Sequence, residues 1–179
     1  LRRPADGARP SRPDRPAVDL EPVMTHLKAE RFTEALAALE DDSAPDPERL
    51  LLRAVVLTQL GEFESAMQAC SALHRLDALD AAALFVVALC REAVGDDHAA
   101  GEYHRLAARM DPGFAMPRLH LARLSRKSGW AIARPELQRA LQLLEQETER
   151  HIALFGGGFT RDALVAMVRS ELAALRSHP

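Results

Sequence analysis

The sequence predicts an all-α solenoid of stacked antiparallel helix pairs. Three observations carry this. Strand formers are scarce: the 179 residues hold one Trp, one Tyr and six Phe, while Ala, Leu, Arg and Glu, all good helix formers, dominate. Gly61, Gly95 and Gly129 recur at intervals of 34 and 34. Ala54, Ala88 and Ala122 recur at 34 and 34, and Ala66, Ala100 and Ala133 at 34 and 33, all in one phase. A fixed period of this length is the mark of a repeat architecture, in which each unit buries its apolar face against its neighbours.

Composition narrows the function classes. A net charge of −3 argues against a nucleic-acid binder, which needs a basic excess or stripe. No apolar run approaches the roughly 18 residues of a membrane helix, and no signal-peptide pattern opens the chain. Cys70 and Cys90 are the only cysteines, too few for a disulfide framework. They point to a reducing, cytoplasmic setting.

The elements follow in order. Residues 1–17 hold four prolines and five arginines with no apolar period, and read as a linker to something upstream. Residues 18–155 hold the repeats. Phe32 and Ala35 open a diverged first copy. Residues 48–60 are apolar nearly all round, so this helix A is covered on more than one side. Residues 63–75 place Phe63, Ala66, Met67, Cys70 and Leu73 at helical spacing, giving helix B. Residues 81–94 and 97–110 repeat the pair, the second with Ala100, Tyr103, Leu106, Ala107 and Met110 inward, and Asp111–Pro112 ends it. Residues 115–128 and 131–148 form the last pair, with Pro135 expected in a first turn where a missing N–H costs little. The small alanines let paired helices approach closely, and the glycines end each helix A in a left-handed turn. Residues 156–179 begin with Gly156–Gly158. Thr160 then caps a final helix whose stripe is Leu164, Met167, Val168, Leu172 and Leu175. Such a helix, apolar inside and polar outside, suits the end of a solenoid.

The period, the helix pair and the Ala/Gly phase resemble tetratricopeptide (TPR) repeats, about three and a half to four of them plus a C-terminal capping helix. Pro112 stands at the motif's closing proline; Ala78 replaces it in the preceding copy. Residues 80–176 resemble more particularly the tetratricopeptide region that follows the catalytic domain in CheR-type chemotaxis receptor methyltransferases. The stretches Met110-Asp111-Pro112-Gly113-Phe114-Ala115 and His120-Leu121-Ala122-Arg123-Leu124, with the Gly-rich break and last helix, carry it. The resemblance implies that a longer parent chain is an S-adenosylmethionine-dependent protein-glutamate O-methyltransferase, and that this segment tethers or regulates it in chemosensory signalling.

Nothing in the segment itself spells catalysis. There is no strand–glycine-loop–helix unit for S-adenosylmethionine. Gly156–Gly158 lacks the strand and lysine of a phosphate cradle and reads as a break. The seven histidines show no i,i+4 pair and no HExxH, and His98 and His104, six apart on one helix, suit a metal poorly. The cysteines read as structural thiols and Glu40-Asp41-Asp42 as a solvated loop. No catalytic residue, metal ligand or cofactor is expected.

A groove remains. Tetratricopeptide arrays bind through a concave surface lined by the A helices. The matching positions are Leu51, Val55, Thr58 and Gln59; Phe85, Val86, Leu89 and Glu92; and Leu119, Arg123, Arg126 and Lys127, with Met24 and Leu27 at the first end. The middle is apolar and one end basic. The sequence has no Asn, against the clamp for a C-terminal carboxylate. The expected partner is a protein or peptide, an amphipathic or acidic helix of a chemosensory protein, with no nucleic acid and no membrane insertion. Three readings compete: that Phe85, Val86 and Leu89 are simply core, cover by the chain's own segment, and a homodimer or scaffold with no external ligand.

Overall fold

The computed structural model describes residues 20–40, 46–76, 78–126 and 130–175. The linker at 1–17, Asp41, Asp42, Lys127, Gly129 and Arg176 lie outside the described residues. Among those described there are ten helices and no strand. They are α1 (Glu21–Lys28), α2 (Phe32–Ala37), α3 (Pro47–Gln59), α4 (Phe63–Arg75), α5 (Ala81–Ala93), α6 (Asp97–Met110), α7 (Ala115–Ser125), α8 (Trp130–Leu144), α9 (Glu149–Phe155) and α10 (Arg161–Ala174). Among them, none is long and apolar enough to cross a membrane.

The helices pair as α1/α2, α3/α4, α5/α6 and α7/α8, and each pair stacks on the next. Ala54, Ala66, Ala88, Ala100, Ala122 and Ala133 are all buried, as their shared phase requires. Asp46, Asp80 and Asp96 each accept an N-cap hydrogen bond, from the amides of Arg49 (3.0 Å), Ala83 (2.9 Å) and Ala99 (3.1 Å), which satisfies donors that a helix start leaves free.

The turns inside the pairs repeat as well. After α3, the amide of Gly61 bonds the Thr58 carbonyl and that of Glu62 bonds Leu57; after α5, Gly95 bonds Glu92 and Asp96 bonds Arg91. Both glycines have φ of +79°. After α1 the same pattern closes through Glu30 to Leu27 and Arg31 to His26, with Glu30 at φ +55°. The first copy is therefore a true repeat whose glycine has become glutamate.

Three expectations need correction. Residues 131–148 are not one helix: α8 stops at Leu144, the chain turns over 145–148, and Thr148 caps α9 through the His151 amide at 3.1 Å. Pro135 sits inside α8 rather than in its first turn, where it removes one rung of the hydrogen-bond ladder. Leu106 and Met110 are exposed, because the inward stripe of α6 runs through Gly101, His104 and Ala108.

The last helix packs against α8, burying Leu164, Val168 and Leu175, as a solenoid cap should. Arg161, off the apolar stripe, is half-buried. Its guanidinium donates to the carbonyls of Leu144 and Glu147, each at 2.5 Å, and meets Glu149 at 2.6 Å, so it clasps the turn that launches α9.

Candidate partner-binding groove

The A helices α3, α5 and α7 build the concave face, and α9 with the loop after it lies across that face. Ile152, Leu154 and Phe155 of α9 are buried. The Phe155 ring stands edge-on to Phe85 and Phe114, at centroid distances of 5.8 and 5.2 Å. At its start, α9 is held by Glu147, a buried acid. One Glu147 oxygen accepts from the Ala115 amide at 2.9 Å, serving as an N-cap for α7 from 32 residues away, where Phe114 has no capping side chain. The other oxygen meets His151 Nδ1 at 2.9 Å. That hydrogen bond raises the His151 pKa; the His151 and Ala115 contacts outweigh burial and lower that of Glu147. Arg150 pairs with Glu48 of α3, and α9 reaches α1 at the other end of the array.

The proposed lining residues are sorted by this segment. Val55, Gln59, Leu89 and Arg123 border a cavity of about 150 Å³ whose opposite wall is Phe155, Gly156, Phe159, Leu164 and Met167. Leu51 borders a second space, about 390 Å³, shared with Arg150, His151 and Leu154. Phe85 lines neither; it is fully buried among Phe114, Phe155, His104 and His120, so it belongs to the core and not to an open surface. Met24 and Leu27 are also buried. Arg123 is exposed, and its guanidinium lies 3.7 Å from the Met167 sulfur of α10. Arg126 is exposed, and Lys127 lies outside the described residues. Of the readings open to the sequence, cover by the chain's own segment describes the middle of this groove.

Glu92 has a different role from the one its position suggests. Its Oε1 meets Nε2 of His104 at 2.6 Å and Nδ1 of His120 at 2.9 Å, joining α5, α6 and α7. The two contacts overcome the effect of burial and hold its carboxyl down at about 2. His104 is wholly buried, and burial lowers its pKa against the opposing pull of Glu92. Spacing rules could not find this trio, because its members sit 12 and 16 residues apart on three helices. The one legible signal was that His104, between Ala100 and Ala107, falls on the inward stripe.

Cys70 and Cys90 are buried free thiols. Burial pushes Cys70 up to about 12 and raises Cys90, which removes the thiolate that reactivity needs.

No family model matches the chain, and no curated protein matches it. Solved structures do. The crystal structure of the Yersinia enterocolitica type III secretion translocator chaperone SycD (alternative dimer) superposes with a TM-score of 0.61 at 25% identity, covering 78% of this chain and 100% of that one. The structure described as MamA MSR-1 C2 superposes with a TM-score of 0.54 at 18% identity, covering 88% of this chain and 92% of that one. The fold is therefore the tetratricopeptide-like superhelix expected from the repeat phase.

Proposed function

We propose that this chain is a non-catalytic protein–protein interaction module whose concave groove is held in cis by α9, and that a partner helix of similar apolar character takes α9's place. The observation that carries this is Phe155. An amphipathic helix anchored by an aromatic residue in a groove of helices is a common mode of peptide recognition, and here both halves lie in one chain. The similarity to a translocator chaperone supports a protein partner. The basic side chains of Arg123 and Arg126 at one end favour an acidic stretch on it.

The test uses a labelled peptide of residues 145–160. It should bind Phe155→Asp chain, whose own α9 is released, and bind wild type at least tenfold more weakly. Equal binding, or none to a variant that retains wild-type helicity, overturns the reading.

A finer reading rests on the resemblance over residues 80–176: the module is the C-terminal region of a cytoplasmic chemoreceptor methyltransferase and tethers or regulates it. Retention of chemoreceptor cytoplasmic fragments by the Phe155→Asp chain supports it, and failure to retain any removes it. A homo-oligomeric scaffold is the second reading, favoured by the dimer in which the SycD chaperone was solved and by exposed Leu106 and Met110. Light scattering separates the two, since only the scaffold requires a stable dimer of wild type.

A further inference from the structure

We propose that Glu92, His104 and His120 form a binding site for one divalent transition-metal ion of the zinc class. Their ligating atoms all lie within 4.8 Å of one another. Two imidazoles and a carboxylate are a donor set that such ions take, leaving further positions for water. Each ligand comes from a separate helix, α5, α6 or α7, and stacking of the repeats fixes all three.

One carboxylate oxygen faces both ring nitrogens, at 2.6 and 2.9 Å. Metal bonds of about 2.0–2.2 Å place tetrahedral ligands about 3.3 Å apart, so each nitrogen would draw back from the oxygen by about half an ångström, and the two nitrogens, within 4.8 Å of each other, would settle at the same spacing. Access is available: His120 borders the cavity beneath α9, and Glu92 keeps 26% of its side chain exposed. A bound ion would pin the three helices that present the groove.

The test is titration of the chelator-stripped full chain with zinc and cobalt(II) salts. Calorimetry should give one ion per chain, and cobalt should develop the visible ligand-field bands of a low-coordinate site. Glu92→Gln and His120→Gln should each weaken binding by more than about 100-fold, beyond the loss typical of disturbing an outer partner of a metal site. His120 is partly exposed, so its variant decides the matter if Glu92→Gln fails to fold. Absence of heat and of cobalt bands in wild type overturns the proposal. So does binding that survives both substitutions, which would assign the ion to surface histidines such as His74 and His98.

Discussion

Phe155 meets Phe85 edge to face, with ring centroids 5.8 Å apart and planes at 88°. This contact joins α9 to the middle repeat, and it closes the groove that the A helices would otherwise offer. Phe155→Ala removes a buried ring and should cost about 3–5 kcal/mol. Chemical denaturation measures this, and a loss below about 1 kcal/mol would mean that α9 is not packed as described. In the same variant α9 should become accessible to protease before the repeats do.

Glu30 occupies the turn position held by Gly61 and Gly95, in the left-handed region. Glu30→Gly should therefore stabilise the chain by about 1 kcal/mol, since a side chain there carries a penalty of about 1–2 kcal/mol. The reciprocal Gly61→Ala should destabilise by a similar amount although its Cβ would meet no atom. Thermal unfolding of the two variants tests the equivalence through opposite shifts.

Gly156 is constrained by space rather than by φ. A Cβ there would stand 2.5 Å from the Ile152 carbonyl oxygen and 3.1 Å from that of Phe159. Gly156→Ala must displace backbone, and should cost more than Gly157→Ala, where φ is +63° but the space is open. Equal melting temperatures for the two would contradict the tight exit from α9.

The Glu147–His151 pair gives α9 a pH dependence. His151 has a raised pKa in the folded chain, so its contribution is complete below the ordinary histidine value of about 6.5. It is lost as pH rises through the folded value. Glu147 is lowered, so its contribution is complete above the ordinary glutamate value of about 4.3 and is lost on acidification through the folded value. Stability measured from pH 6 to 9 should fall more in wild type than in His151→Gln. Parallel curves would show that the pair does not couple to folding.

Much of the repeat architecture was legible because it depends on local rules. Ala at a helix crossing, Gly after a helix A and Asp before the next helix are each demanded by one or two neighbours, and each recurs at 34 residues. Thr160, read as a cap, accepts from the Ala163 amide at 3.3 Å. The end of α8 is not legible in the sequence, because 145–148 contains no Gly or Pro. Its stop is enforced from a distance, by Arg161 on the carbonyls of Leu144 and Glu147. Helical phase places Phe85 on the concave face, and phase alone does not distinguish a groove residue from a core one, because it cannot say what lies opposite.

The sequence by itself determined the period, the pairing of helices, the small-residue crossings and the capped last helix, since these follow from spacing along one chain. Only the tertiary structure decided that α9 fills the groove and that Glu92, His104 and His120 converge. Both depend on approach between segments far apart in sequence, where the packing of side chains such as Phe155, rather than any periodicity, sets which partners meet.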